Sequence, residues 1–157
     1  MSKVVIIMGS KADLDWANKI VDALNGFKID SECFIASAHK VPIECYNIIK
    51  EQEMHNPVFI TIAGMSNALS GFSDAQTNCP VIACPPVGDS FAGADIYSSL
   101  RMPSGVAPMV ILNPKNAALA AAKIIGLNND EVRTEVSKFQ EAQRQKLIED
   151  NSSIRSN

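Results

Sequence analysis

The sequence has few of the features that mark metal, nucleic-acid or membrane proteins. Its 157 residues include only four cysteines and two histidines, with no Cys-x-x-Cys pair and no histidine at a zinc-site spacing. The formal net charge of −3 gives no global basic field for nucleic acid. No apolar run approaches the roughly 20 residues that span a bilayer. We therefore expect no metal, no nucleic acid and no membrane contact.

The start of the sequence shows no signal-peptide pattern, because residues 1–3 lead directly into a strand-like run without a separate apolar h-region. This start favours a soluble, cytoplasmic protein. Its cysteines are then expected to be reduced and buried. They are Cys33, Cys45, Cys79 and Cys84.

Three common signatures of nucleotide and hydrolase chemistry are missing. The chain has no Gly-x-Gly-x-x-Gly fingerprint, no Walker Gly-Lys-Ser/Thr loop and no Gly-x-Ser-x-Gly elbow. We therefore expect no bound cofactor and a reaction that runs without ATP.

Five apolar runs rich in β-branched residues alternate with helical segments. The runs are Val4–Met8, Ile29–Ala36, Val58–Ala63, Val81–Cys84 and Val106–Leu112. Continuous apolar runs, in contrast to strict alternation, are typical of parallel strands covered on both faces. The pattern predicts a doubly wound α/β fold in a single domain, residues 1–157, with a frayed tail from about residue 150.

Two C-terminal helices are predicted to contact neighbouring subunits. Residues 116–125 are rich in alanine and apolar on most sides, where a monomer needs only a stripe. The final helix, from Asp130 to about Asp150, has a thin apolar stripe and is long for a surface cap. The alternative is that alanine simply favours helix and that the last helix covers its own domain.

Candidate functional residues follow three of the predicted strands. His39 and Lys40 come directly after the second strand, and ligands of open α/β sheets bind beyond the carboxyl ends of strands. The first strand leads into residues 9–13, and the third into residues 63–71, whose small side chains expose backbone amides. The pattern predicts an anionic small molecule and proton transfer. The plainer alternatives are helix caps at Ser10 or Asp13 and a solvated Lys40.

Other unusual residues have plainer explanations. His55 lies in a predicted helix-ending turn and Trp16 on the first helix, so we expect both to be structural. Residues 84–105 form a long connection rich in proline and glycine, and such connections are usually functional or interfacial. Tyr97 and Arg101 in it are candidates to reach a neighbouring site.

Together these residues resemble one family. The motifs, in order, are Met8-Gly9-Ser10, Ser37-Ala38-His39-Lys40, Ala63-Gly64-Met65-Ser66-Asn67 and residues 95–105. Their order and spacing resemble the PurE proteins of de novo purine synthesis, which carboxylate 5-aminoimidazole ribonucleotide (AIR). Lys40, Ser66-Asn67 and residues 98–101 are similar to the class II branch, which uses CO2 directly. The mutase branch usually reads Ser-Ala-His-Arg in the second motif.

The resemblance implies an activity and an assembly. The activity is the reversible, ATP-independent conversion of AIR and CO2 to 4-carboxy-AIR (CAIR). The fold it implies is a three-layer α/β/α sandwich with the flavodoxin-like strand order 2-1-3-4-5. The implied assembly is an octamer whose C-terminal helices pack on neighbouring subunits and whose sites are shared between subunits.

The resemblance also implies residue roles. Ser10 and Lys40 would hold the 5′-phosphate, Asp13 the ribose hydroxyls, and residues 64–67 the CO2, while His39 removes a proton. The catalytic candidates are His39 and Lys40. The substrate-binding candidates are Gly9, Ser10, Asp13, Ser37, Ala38, Lys40, Gly64, Met65, Ser66, Asn67 and Ala68. The candidates for contact with a neighbouring subunit are Tyr97, Arg101, Met102 and Pro103.

Two positions depart from the family pattern, since Met65 stands where the carboxylase motif has arginine and Ala12 where the first motif commonly has serine. Two other functions stay open at this point. One is the mutase that acts on N5-carboxyaminoimidazole ribonucleotide (N5-CAIR). The other is a flavodoxin-like module that binds FMN without turnover.

Overall fold

The computed structural model describes residues 3–155. Its strands are β1 (Lys3–Met8), β2 (Asp30–Ile35), β3 (Val58–Ile62), β4 (Val81–Ala83) and β5 (Met109–Val110). Its helices are α1 (Leu14–Gly26), α2 (Pro42–Glu53), α3 (Leu69–Ala75), α4 (Tyr97–Leu100), α5 (Pro114–Ile125) and α6 (Asp130–Arg155). Short 3₁₀ segments lie at Lys11–Asp13 and Ser90–Ile96.

The five strands form one parallel sheet in the order β2-β1-β3-β4-β5, which confirms the predicted topology. Alternate residues of β1 supply two separate cores because strand side chains point to opposite faces. Val4 and Ile6 pack in a core with α1, α5 and α6, whereas Val5 and Ile7 pack in a core with α2 and α3. The molecule is therefore a three-layer α/β/α sandwich.

The alanine-rich helix α5 packs inside its own chain. Four of its alanines are fully buried, and they belong to the core that α5 shares with α1, α6 and one face of the sheet. They are Ala117, Ala118, Ala121 and Ala122. Small side chains allow the close approach of elements on both sides of α5. Intrachain packing therefore accounts for these alanines, and a subunit contact at α5 stays a prediction.

Helix α6 begins at the predicted residue but continues to Arg155, so residues 150–155 are helical where the sequence indicated fraying. Residues 156–157 of that predicted tail lie outside the described residues. Only Val132 and Val136 of α6 are buried. The Phe139 ring meets Phe27 edge to face, with centroids 5.4 Å apart. The apolar side chains farther along α6 are exposed, namely Leu147, Ile148 and Ile154.

Two edge strands differ from the prediction. Strand β2 was expected to be covered on both faces, but its side chains are exposed or half-buried because it lies at the edge of the sheet. Strand β5 has only two residues, where the sequence indicated a strand from Val106 to Leu112. Pro108 directly precedes β5 and has no N–H for a ladder hydrogen bond, which limits how early pairing begins.

The four cysteines are free thiols with different environments. Cys45 and Cys84 are buried and Cys79 is half-buried. Cys33 is exposed on the edge strand β2, so the expectation that all four are buried is wrong for this residue. Burial raises the pKa of the Cys45 and Cys84 thiols to about 11. Within residues 3–155, no helix is long and apolar enough to cross a membrane.

Candidate active site

Three loops leave the sheet side by side at its carboxyl edge. The Gly9 N–H donates to the Ile62 carbonyl at 2.8 Å, and the Ala36 N–H donates to the Met8 carbonyl at 2.9 Å. These bonds continue the ladder one residue past the strand ends. The loops after β1, β2 and β3 therefore begin together, where the strand order reverses between β1 and β3. Ligands of doubly wound sheets bind at such a switch point.

A cleft of about 560 Å³ opens between these three loops. Its lining residues are Gly9, Ser10, Ala12, Asp13, Ser37, Ala38, His39, Lys40, Ala63, Gly64, Met65, Ser66, Ala68 and Leu69. The cleft thus brings together the predicted catalytic and substrate-binding residues, with the exception of Asn67. Ala12, Ala63 and Leu69 also line the cleft. We noted them in the sequence motifs and loops but not among the site candidates, because apolar side chains carry no chemical signal.

Gly9 lies where two loops approach closely. A β-carbon placed on Gly9 would lie 3.6 Å from the Ala63 side chain and 3.6 Å from the Ile62 carbonyl. These are ordinary van der Waals distances, so the loop after β1 lies in direct contact with the end of β3 and the residue that follows it.

Ser10 and Asp13 form a capping box at the start of the helical segment after β1. The Ser10 hydroxyl accepts from the Ala12 N–H at 3.2 Å, while one Asp13 carboxylate oxygen accepts from the Ser10 N–H at 3.2 Å. The Ser10 hydroxyl also lies 3.3 Å from that oxygen. The helix-cap alternative is thus correct for both residues, and both also line the cleft.

The turn that carries His39 and Lys40 is fixed by its backbone. The Ser37 hydroxyl accepts from the Lys40 N–H at 3.3 Å, and the Val41 N–H donates to the Ser37 carbonyl at 2.9 Å. His39 and Lys40 are exposed at the cleft wall. In the part of the chain described, neither side chain has a protein hydrogen-bond or ion-pair partner, so both can engage a ligand.

The loop after β3, residues 64–68 (loop 64–68), has an unusual backbone. Met65 adopts a left-handed conformation with φ of 56°, which is costly for a residue with a β-carbon. Its side chain is 79% exposed. It also lines a second cleft of about 520 Å³, together with Ser66, Phe91, Ala94, Asp95 and Ser98.

Asn67 supports loop 64–68 from beneath and is only 4% exposed. Its side-chain NH2 donates to the Ser99 hydroxyl at 2.9 Å, and its side-chain oxygen accepts from the Ser70 N–H at 3.1 Å. Its backbone N–H donates to the Ser98 hydroxyl at 2.9 Å. The structure therefore does not bring Asn67 to the cleft wall, since its polar groups are used within the protein.

The predicted neighbour-contact residues lie outside the cleft. Tyr97, Arg101 and Pro103 are exposed, and Met102 is half-buried. The Met102 sulfur occupies the space that a β-carbon on Gly71 would need, at 2.8 Å. Within this segment, pattern analysis missed the support that Ser98 and Ser99 give to loop 64–68, because hydrogen bonds across 31 and 32 residues leave no local sequence signal.

The cleft lining includes one carboxylate, one imidazole and one ammonium group, from Asp13, His39 and Lys40. These groups suit a ligand with an anionic end, hydroxyl groups and an exchangeable proton. Across residues 3–155, no group of three or more histidine, cysteine, aspartate or glutamate residues is arranged to hold a metal ion.

Comparison with known proteins gives consistent matches. Residues 3–146 match the family model described as AIR carboxylase. A phosphoribosylaminoimidazole carboxylase of Archaeoglobus fulgidus is 56% identical over 153 residues, which cover 98% of this chain and 85% of the relative. The crystal structure of Treponema denticola PurE has a TM-score of 0.95 and 49% identity, covering 98% of each chain.

A longer animal protein also contains a similar segment. The bifunctional phosphoribosylaminoimidazole carboxylase/phosphoribosylaminoimidazole succinocarboxamide synthetase of Mus musculus is 43% identical over 129 residues. The match covers 81% of this chain and 30% of the mouse protein.

Proposed function

The chain belongs to the AIR carboxylase family, and from this membership we propose that it is a phosphoribosylaminoimidazole carboxylase of purine biosynthesis. It converts AIR and CO2 to CAIR reversibly and without ATP. The observation that carries the proposal is the single cleft that gathers Ser10, Asp13, His39 and Lys40 from separate loops. The family match favours this enzyme over the FMN-binding alternative.

The nucleotide is held by the two loops that follow β1 and β2. The Lys40 ammonium and the Ser10 hydroxyl bind the 5′-phosphate, because both can donate hydrogen bonds to an anion. Both bonds from Ser10 end on one oxygen of Asp13, which leaves the other oxygen to accept from the vicinal ribose hydroxyls. The aminoimidazole ring then extends toward loop 64–68 and the His39 turn.

His39 carries the proton that the reaction must move. The electron-rich aminoimidazole attacks CO2 through C4, which forms a C–C bond and leaves C4 tetrahedral with its hydrogen still attached. The His39 imidazole takes this proton as general base, and the C–H electron pair restores the aromatic ring. The proton leaves to solvent from the exposed imidazole. A positioned general base is typically worth about 10²- to 10⁴-fold in rate.

CO2 and the new carboxylate bind against loop 64–68. This loop combines a glycine, a serine hydroxyl and the left-handed backbone of Met65, so its polar backbone groups can approach a small molecule closely. Met65 puts an apolar side chain where the carboxylase motif has arginine. The new carboxylate is therefore held without a cation at that position.

Isotope labelling tests the proposed function and separates it from the mutase. The purified protein is supplied with AIR and ¹³C-bicarbonate plus carbonic anhydrase, and product CAIR is followed by mass spectrometry. We expect labelled CAIR without ATP. Efficient conversion of N5-CAIR with retention of its own carboxyl group, and no incorporation from labelled CO2, would instead identify a mutase.

The assembly and location proposed from the family resemblance are a homo-octamer and the cytoplasm. The exposed apolar residues of α6 support subunit contacts there, and exposed Tyr97 and Arg101 remain candidates to contact a neighbouring subunit. Burying such side chains favours association by about 25 cal/mol per Å² of apolar surface. Sedimentation velocity of the active enzyme should give a species of eight chains, whereas a stable, active monomer would contradict this assembly.

A further inference from the structure

Two consecutive serines at α4 hold the loop that follows β3. The Ser98 hydroxyl accepts from the Asn67 N–H at 2.9 Å, and the Ser99 hydroxyl accepts from the Asn67 side-chain NH2 at 2.9 Å. The Ser98 hydroxyl also lies 2.7 Å from the Asp95 carbonyl and 3.1 Å from the Met65 carbonyl, and its one hydrogen can be donated to either of them. Residues on both sides of Ser66 are therefore tied to one short helix.

These bonds act on a strained part of the backbone. Met65 is held with a positive φ of 56°, although side chains with a β-carbon disfavour this conformation. Strained backbone persists where surrounding contacts overdetermine it. Here the Asn67 N–H is anchored on the Ser98 hydroxyl, and the Met65 carbonyl lies within reach of the same hydroxyl. These contacts restrain the backbone that follows Met65 and so favour its left-handed conformation.

We propose that Ser98 and Ser99 are positioning residues for carboxylation, which act through Asn67 to hold Met65 left-handed and so set the wall against which CO2 reacts. The proposal deepens the proposed function and rests on it. Neither serine needs to touch the substrate. Ser99 is buried at 2% exposure, and Asn67 lies beneath the cleft wall.

The nucleotide-binding residues and the loop held by Ser98 are on different parts of the cleft, and this predicts which kinetic constants a Ser98 variant changes. Ser10, Asp13 and Lys40, which bind the nucleotide, lie on the loops after β1 and β2. Of the three cleft loops, the two serines bond to loop 64–68. Loss of the Ser98 hydroxyl should therefore lower kcat and raise KM for CO2 while KM for AIR changes little. A general loss of folding would instead reduce the amount of active enzyme and leave both KM values unchanged.

The kinetic test compares Ser98→Ala with Ser104→Ala, which changes an exposed serine of the same segment. We expect kcat/KM for CO2 to fall about tenfold in Ser98→Ala, with KM for AIR within about twofold, and no change in Ser104→Ala. One hydrogen bond is typically worth up to about a factor of ten in an equilibrium. Unchanged kcat/KM for CO2 in an active Ser98→Ala enzyme would overturn the proposal.

A second variant tests the role of the left-handed residue. Glycine adopts positive φ without strain, so Met65→Gly should restore part of the activity that Ser98→Ala loses. In the wild-type background, Met65→Gly should give no such gain. Equal effects of Met65→Gly in both backgrounds would show that the serine does not act through this backbone.

Hydrogen exchange tests the bond from the Asn67 N–H to the Ser98 hydroxyl without relying on activity. In the wild-type protein, the Asn67 amide should exchange at least tenfold more slowly than the amides of neighbouring exposed residues, and Ser98→Ala should remove this protection. Fast exchange of the wild-type Asn67 amide would overturn the proposal even if Ser98→Ala failed to fold. If wild-type protein had a protected Asn67 amide but did not carboxylate AIR, the proposed function would be overturned. The hydrogen bond between Asn67 and Ser98 would still stand.

Discussion

One carboxylate oxygen of Asp13 accepts from the Ser10 backbone N–H at 3.2 Å and lies 3.3 Å from the Ser10 hydroxyl. The two residues therefore cap the helical segment after β1 and also line the cleft. Capping and ligand binding are compatible because the Asp13 carboxylate has a second oxygen, and because the single Ser10 hydroxyl hydrogen can rotate from Asp13 to a bound phosphate while the hydroxyl oxygen still accepts from the Ala12 N–H. Folding of this turn orients the nucleotide-binding groups before substrate arrives.

This double role predicts two effects of Ser10→Ala. Loss of the cap should lower the free energy of unfolding by about 1 kcal/mol, and loss of the phosphate contact should raise KM for AIR several-fold. The matched control is Asn113→Ala, because Asn113 caps α5 by accepting from Lys115 and Asn116 and does not line the cleft. Denaturant unfolding should show a similar loss for both variants, whereas only Ser10→Ala should change KM. Equal KM values would remove Ser10 from the phosphate site.

Intrachain packing of α5 predicts that Ala121→Leu destabilises each subunit. Ala121 has no exposed surface, and added methyl groups in a packed core typically cost about 1–3 kcal/mol. Asn116→Leu, on an exposed position of the same helix, is the control and should change the free energy of unfolding by less than about 0.5 kcal/mol. Denaturant unfolding at several protein concentrations checks this. If Ala121→Leu altered only the concentration dependence, α5 would be a subunit contact after all.

The raised pKa of two thiols predicts a loss of stability in alkali. Burial raises the pKa of Cys45 and Cys84 from 9.0 to about 11, which the Ser73 hydroxyl and the Trp16 indole oppose only in part. Between these values the folded chain keeps protons that the unfolded chain releases, so its stability is complete below pH 9 and falls as pH rises toward 11. Urea unfolding at pH 8, 9 and 10 measures this decline, and Cys84→Ala should reduce it.

Thiol labelling gives a further check on cysteine environment. Exposed Cys33 should react first with a disulfide reagent at pH 8, although partial burial and the neighbouring Glu32 carboxylate raise its pKa. Cys45 and Cys84 should react only after denaturant is added. Rapid labelling of all four cysteines in the native protein would contradict the burial described here.

Apolar patterning was sufficient to predict a doubly wound parallel sheet and the loops that form the cleft, whereas the strand order was implied by the family resemblance. Val4–Met8 and Val58–Ile62 are buried on both faces, so their sequence signal is strong. The edge strand β2 was misjudged because an apolar run does not reveal which strand has a neighbour on only one side. The support of Asn67 by Ser98 and Ser99 arises from tertiary contact alone, and no local pattern predicts it.

The C-terminal half shows a second limit of pattern analysis. Alanine in α5 indicates close packing but does not identify the packing partner, which is the same chain. Likewise, polar and charged residues together dominate α6 after Phe139, and the helix nevertheless continues to Arg155. A sequence can therefore indicate that a helix face is covered, but it identifies the covering element less readily.

The most direct test of the account is the effect of His39→Asn on turnover and on nucleotide binding, measured in the same preparation. We expect kcat for carboxylation to fall by about 10²- to 10⁴-fold, while the Kd for AIR by calorimetry stays within about threefold. His55→Asn, which changes the other histidine at an exposed turn outside the cleft, should leave both quantities unchanged. Wild-type turnover in His39→Asn would show that this imidazole does not move the proton at C4.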